Sequence, residues 1–311
     1  MNRAEEARGV YVIAPTPFHP DGRVDDSSAD RMTDFFLAAG VDGITVLGQL
    51  GEAPKMAHEE SVGIVRRVLA RAKVPVVVGV SAPGFAAMRA LTQDVMAAGA
   101  AGVMIAPPNT LRTDDSIVQY YRQASEAIGA DVPFVIQDYP QGSGVVMSVG
   151  TIRRIVEAQP SCVMLKAEDW PGLEKISAVR RLMADKTMRP ISILTGNGGV
   201  FLDFEMERGC DGAMTGYAFP DMLVDVVRLQ KAGERDRAHD LFDAHLPLMR
   251  YEQQPGVGLA VRKHILKLRG AIASDAQRKP STSLSPTARA EVAYLLARLA
   301  RHDKRAAGLG D

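Results

Sequence analysis

Short apolar runs, many of them β-branched, recur along the chain: Val10–Pro15, Gly43–Gly48, Val74–Val80, Gly102–Ala106, Val132–Ile136, Cys162–Leu165, Ile191–Leu194 and Gly212–Thr215. Each is too short for a stable helix and is bounded by glycine, proline or a polar turn, which is the pattern of a strand. Segments with apolar positions three and four apart fill the intervals, among them Ser27–Ala39, Glu59–Ala72, Ala86–Ala98, Ser116–Ile128 and Leu173–Met183. Gly40 and Gly99 follow two of these segments, where a left-handed residue closes the last helical turn.

Strand and helix therefore alternate, and parallel strands need a crossover of this kind. The strand runs are apolar throughout rather than alternating, as expected when both faces of the sheet are covered. Eight units at a spacing of roughly 30 residues predict an α/β fold, a closed (β/α)8 TIM barrel. An open dinucleotide-binding sheet would need Gly-x-Gly-x-x-Gly after the first strand, and Ala14-Pro15-Thr16-Pro17 stands there instead. From Met222 onward the pattern is helix alone: Met222–Lys231, Arg235–Met249, Val257–Leu268 and Pro286–Ala300. The barrel is expected over residues 1–231, and the last three helices form a C-terminal extension over 232–311 packed on it. The polar stretch Ser274–Ser285 reads as a loop within that extension.

Composition narrows the function class. The chain has 311 residues, 46% of them hydrophobic and 24% charged, with Lys plus Arg and Asp plus Glu at 37 each. That balance offers no strong field for nucleic acid or an anionic membrane. No apolar run approaches the roughly 20 residues that span a bilayer, and Met1 to Arg8 is polar, so no leader and a cytoplasmic setting are expected. Cys162 lies in an apolar run and reads as a small core residue. The histidines at 19, 58, 239, 245, 264 and 302 form no metal-binding spacing, so neither metal nor cofactor is expected, and His58 reads as a surface residue at a helix start. No Gly-x-Ser-x-Gly nucleophile elbow occurs.

Active sites of such barrels lie at the C-terminal ends of the strands. The sixth run continues Leu165-Lys166-Ala167-Glu168, which puts a lysine where the strand leaves the core. Partial desolvation there disfavours the charged form of an amine, and a neutral amine can attack a ketone to give a Schiff base. A lysine that merely reaches out to solvent is the plain alternative. Glu168, two residues on, shares a face with Lys166 on an extended segment. It is either a base beside that amine or a surface glutamate opening the next loop. Gly196-Asn197-Gly198-Gly199 resembles a phosphate-cradling turn but has no basic residue beside it.

Pro15-Thr16-Pro17-Phe18 with Gly22, Gly48-x-x-Gly51-Glu52-Ala53, the lysine ending strand six and Gly196–Gly199 fall in order along the chain. Together they resemble the dihydrodipicolinate synthase and N-acetylneuraminate lyase superfamily of class I aldolases, over nearly the whole chain. The resemblance implies that Lys166 forms the Schiff base and that no cofactor is needed. It also implies that Gly48, Gln49, Leu50, Gly51 and Glu52, with Gly196 and Asn197, border the substrate carboxylate, and that the chain is a homo-oligomer, a tetramer built from dimers.

The departures narrow the reaction. Gln49 and Leu50 replace the usual hydroxyl residues, and Gln137-Asp138-Tyr139-Pro140 replaces Tyr-Asn-x-Pro, so Gln137 stands where the proton-relaying tyrosine is expected. An amide does not titrate usefully. Gly142 takes the place of a dicarboxylate-binding arginine, and Pro107-Pro108-Asn109 lacks an aromatic residue supplied across subunits. Gln-Asp-x-Pro, Lys-x-Glu and Gly212-Ala213-Met214-Thr215-Gly216 resemble instead the 2-keto-3-deoxyarabonate dehydratase branch, with Met214 among the substrate-side residues. The expected partner is a small 2-oxo acid, most simply a 3-deoxy-2-oxo sugar acid. Glu168 is the candidate base, Tyr139 a further phenol, Gln137 an orienting amide, and Asp138 an ordering residue for the loop. A pyruvate-dependent aldolase, including a dihydrodipicolinate synthase, and a non-catalytic acid-binding barrel are the competing readings.

Overall fold

The computed structural model describes residues 6–170 and 172–310, so residues 1–5 of the polar N-terminal stretch lie outside the described residues. Eight parallel strands close in sequence order: β1 (Gly9–Ile13), β2 (Gly43–Val46), β3 (Val76–Gly79), β4 (Gly102–Ile105), β5 (Phe134–Asp138), β6 (Cys162–Ala167), β7 (Ser192–Thr195) and β8 (Gly212–Thr215). Closure comes from β1 pairing in parallel with β8, Tyr11 opposite Met214. The expected (β/α)8 barrel is what the chain forms.

Helices α1 (Asp26–Ala38), α2 (His58–Arg71), α3 (Phe85–Ala97) and α4 (Asp114–Ile128) follow the first four strands. A short α5 (Pro140–Ser143) precedes α6 (Val149–Ala158) after β5, and α7 (Leu173–Ala184), α8 (Leu202–Glu207) and α9 (Pro220–Lys231) complete the ring. Local chemistry starts several of them. Asp25 accepts from the Ser28 amide at the head of α1, Thr113 from Ser116 at α4, and Ser148 from Thr151 at α6.

The strands sit between two apolar layers. Tyr11, Ile13, Val77, Met104, Val135, Met164, Leu194 and Met214 fill the barrel interior, while the opposite faces pack on the helices. Burial on both sides is why the strand runs read as continuously apolar. Three helices follow the ring: α10 (Arg235–Glu252), α11 (Gly258–Leu268) and α12 (Pro286–Leu299). Their attachment is polar as well as apolar. Buried His245 on α10 bonds Tyr217 Oη through Nδ1 and Asp303 through Nε2, each at 2.9 Å. The polar stretch before α12 is a loop, as expected, but a pinned one. Its Arg278 donates to the carbonyls of Gly22 and Lys55 and to both oxygens of Glu60, with its guanidinium over the Phe18 ring. Among the described residues no helix is long and apolar enough to cross a membrane.

Candidate active site

Strands β5 and β6 set Gln137 opposite Lys166 and Asp138 opposite Ala167. Val135 and Met164 point into the barrel, so alternation turns Gln137 and Lys166 the same way, one level higher, at its mouth. Asp138 faces outward, where Lys175 of α7 places Nζ 2.5 Å from Oδ2 and 2.9 Å from Asp169. Burial pushes the Asp138 carboxyl up to about 6, Lys175 opposing the shift and Asp169 and Glu168 adding to it. Asp138 thus ties the strand to the helix layer, in keeping with an ordering role.

Glu168 turns back over the strand end. Its Oε2 lies 2.9 Å from Lys166 Nζ and accepts from Gln137 Nε2 at 2.9 Å. The Asn197 amide donates to Oε1 at 3.3 Å, and Asn197 Nδ2 donates to the Glu168 carbonyl at 2.8 Å. Lys166 and Glu168 are both buried. A Cβ on Gly196 would stand 2.1 Å from Glu168 Cγ, so the glycine is what lets the glutamate lie across the mouth.

These groups open on a cleft at the mouth of the barrel. Seven of the residues singled out from sequence line it: Gln49, Leu50, Gln137, Tyr139, Lys166, Glu168 and Asn197. The Tyr139 ring lies where a Cβ on Gly142 would come within 2.2 Å, and burial and the Glu168 charge raise its phenol above the usual value. Leu50 packs against the barrel interior rather than offering a polar contact.

Five of the expected residues stand back from the cleft. Met214 is buried in the interior layer beneath, and Gly196 lies behind Glu168. Gly48 packs against Ile13 and Met104, and the Gly51 carbonyl accepts from Thr16 Oγ1 at 2.7 Å. Glu52 departs most from the expectation that it borders the substrate. Its carboxylate is turned away, 2.6 Å from Lys263 Nζ and 2.9 Å from Lys55 Nζ, and also accepts from the Arg278 amide. The reason is conformational. Glu52 is in the left-handed region at φ 56, a costly place for a residue with a side chain, and those bonds hold it there. Leu47 (φ 57) and Asn197 (φ 49) share that conformation, so three of the four described non-glycine residues with positive φ belong to the loops that frame the cleft.

Gly198, part of the glycine run expected at the carboxylate end, also lines the cleft, as do Ile13, Thr215, Gly216 and Gln253, which were not foreseen. Gln253 caps α10 in the extension. A Cβ on Gly198 would overlap Gln253 Nε2, so the glycine run marks a close approach whose partner has no local signature. Among the described residues no group of three or more His, Cys, Asp or Glu side chains is placed to hold a metal. His58 is exposed, with Nε2 2.8 Å from Asp94, and Cys162 is fully buried.

Residues 6–299 match the model of the dihydrodipicolinate synthetase family. The chain belongs to that family. Members are lyases, which makes this chain an enzyme of that class. It is 30% identical over 298 residues, 94% of each chain, to the L-2-keto-3-deoxyarabonate dehydratase of Azospirillum brasilense. A 4-hydroxy-tetrahydrodipicolinate synthase of Bifidobacterium longum is 28% identical over 86% of each chain. Among solved structures, a dihydrodipicolinate synthase from Rhodopseudomonas palustris superposes with a TM-score of 0.93 at 64% identity, covering 94% of this chain and 98% of that one.

Proposed function

We propose that the enzyme dehydrates a 3-deoxy-2-oxo sugar acid through a Schiff base on Lys166, with Glu168 moving the protons. The observation that carries this reading is the Lys166–Glu168–Gln137 cluster, a lysine and a carboxylate 2.9 Å apart with an amide on the same carboxylate. Glu168 accepts a proton from the Lys166 ammonium, and the freed amine adds to C2 of the substrate. The same carboxyl then protonates the C2 hydroxyl, which leaves as water and yields the iminium. That cation acidifies C3. Glu168, again a carboxylate, takes the C3 proton; the resulting enamine expels the C4 hydroxyl, which leaves as water with that proton. Water finally hydrolyses the iminium and frees Lys166. Gln137 cannot relay protons, but its N–H holds the oxygen of Glu168 nearest Lys166.

The cleft walls favour a hydroxylated substrate. Gln49, Gln137, Asn197 and Gln253 place four carboxamides around it. Each can donate and accept, as hydroxyl groups do. The A. brasilense relative carries the name of such a dehydratase.

The test is borohydride trapping with pyruvate and, separately, with a 3-deoxy-2-oxo pentonate, followed by peptide mass spectrometry and a turnover assay. An adduct on Lys166 with water-releasing turnover of the pentonate alone is expected. Turnover that couples or splits at pyruvate would replace the dehydratase with an aldolase. Reversible binding with no adduct would leave a non-catalytic barrel.

A further inference from the structure

One buried cation directly behind the cleft wall plays no part in the steps above. Arg262 on α11 is 2% exposed. Its Nε donates to Glu252 Oε1, and the other oxygen of Glu252 accepts from the Ala218 amide at 3.2 Å. The guanidinium is therefore held on one edge. On the opposite side Nη1 is buried and has no hydrogen-bond partner among the described residues. Buried charged-group donors without a partner are uncommon and call for a physical account.

The place of that nitrogen supplies one. A Cβ on Gly216 would lie 2.2 Å from Arg262 Nη1 and 3.2 Å from the Ile13 carbonyl. Gly216 and Ile13 both line the cleft. Met214, two residues earlier on β8, points into the barrel interior, so residue 216 has its side-chain direction toward the mouth. The guanidinium occupies the space that a side chain at 216 would fill. An arginine from the extension thus stands in for the last inward residue of β8.

We propose that Arg262 is a substrate-binding residue whose Nη1 donates to a hydroxyl oxygen at the end of the 2-oxo acid remote from C2. The distance suits this. β8 lies two strands from β6, with β7 between them, and neighbouring strands are about 4.8 Å apart, so the strand ends are roughly 10 Å apart. Lys166 reaches inward across part of that gap, leaving the length of a five- or six-carbon acid. The charge suits it as well. Glu252 already balances the guanidinium, so the cleft gains a donor rather than net positive charge. A neutral hydroxyl fits that donor, whereas a second carboxylate would enter with its charge unmatched.

The inference rests on the dehydratase reading, and its test separates the two. Pyruvate has no remote hydroxyl, so trapping of pyruvate on Lys166 reports the Schiff base alone. Gly216→Ala would displace the guanidinium with both charges kept, and the pair Glu252→Gln with Arg262→Met would remove it without stranding a buried charge. In each variant KM for the hydroxylated acid should rise about tenfold, the loss of one good hydrogen bond, with kcat within about threefold. Half-saturation for pyruvate trapping should stay unchanged, and Arg262→Lys should recover part of the KM effect. Equal losses for pyruvate and the hydroxylated acid, or a fall in kcat alone, would show a structural role and overturn the proposal. Wild-type enzyme that pyruvate does not label would overturn the Schiff-base reading itself, and the role of Arg262 with it.

Discussion

Among the described residues two lysine–glutamate pairs are buried, and they are built differently. Lys263 on α11 meets Glu52 across 211 residues of chain, with side chains 0% and 1% exposed. Its Nζ also donates to the Ala276 carbonyl and sits over the Phe18 ring, while Glu52 takes two further donors. Burial lowers the Lys263 ammonium from its usual value, and Glu52 opposes that. Lys166 has Glu168 alone, two residues away, and both line a cleft. Burial and pairing are therefore common to both and do not mark a catalytic lysine. What separates them is spare bonding capacity facing open space. The Lys263 pair is saturated and fixes a strained loop; the Lys166 pair has room for a ligand.

Exchanging the consequences of the two pairs is the strongest way to break that comparison. Lys166→Ala should abolish borohydride labelling and lower kcat by about 10⁴-fold or more, since among the described residues no other lysine lines the cleft to form the imine. Its midpoint in chemical denaturation should move less than that of Lys263→Met, because Glu168 keeps its Gln137 and Asn197 donors and faces the cleft. Lys263→Met should do the reverse. Breaking a buried pair costs up to about 3–5 kcal/mol, the lower end applying here because Lys55 and the Arg278 amide still hold Glu52. The loss is read as unfolding free energy, while the protein that remains folded still labels on Lys166. Labelling lost in both variants, or stability lost equally, would collapse the distinction.

Glu168→Gln tests the open pair from its other side. The amide keeps the contact with Gln137 but cannot take a proton. A lost acid–base group typically costs 10²- to 10⁴-fold, so kcat for dehydration should fall by about that much while slow labelling of Lys166 persists. A variant with near-normal turnover would move the proton chemistry to another group.

Why one pair was legible in the sequence and the other was not is a matter of range. Lys166 and Glu168 are a strand end read by alternation, and the eight apolar runs place that end at the barrel mouth. Strand boundaries shifted by a residue or two, because Lys166 and Ala167 complete the β6 ladder beyond the apolar run. Glu52, by contrast, sits in a loop motif that suggests a ligand contact, and nothing local reveals that Lys263 and Arg278 claim it. Gln253 escaped for the same reason, since it owes its place to the C-terminal helices. The short helices α5 and α6 stand where β5 would otherwise lead to a single crossover.

A further buried glutamate, with neither a lysine nor an arginine paired to it, sharpens the comparison. Glu205 on α8 is pushed up to about 8, chiefly by burial, with the nearby Thr195 hydroxyl opposing and the charges of Asp203 and Glu168 adding. Its folded value lies above the unfolded one, so between about pH 4.5 and 8 the folded state keeps a proton that the unfolded chain has lost. Stability contributed by that proton is present below this window and is lost as pH rises through it. Glu205→Gln removes the titration. Thermal midpoints of wild type should fall relative to the variant from pH 5 to 8; parallel curves would show that Glu205 is ionised in the fold.

The smallest effect is expected at Tyr139, the only phenol among the described residues that line the cleft. Its ring is seated over Gly142, and phenylalanine can keep that packing while losing the hydroxyl. Burial and the nearby Glu168 carboxylate both disfavour the phenolate, which makes Tyr139 a poor base at neutral pH, although it can still donate a hydrogen bond. If the protons move through Glu168, Tyr139→Phe should lower kcat by less than about tenfold, the scale of one neutral hydrogen bond rather than of an acid–base group. The alkaline limb of the pH–rate profile should also stay in place. A loss comparable to that of Glu168→Gln, with the alkaline limb displaced, would mean that the tyrosine role has moved two residues along the β5 loop, from position 137 to 139.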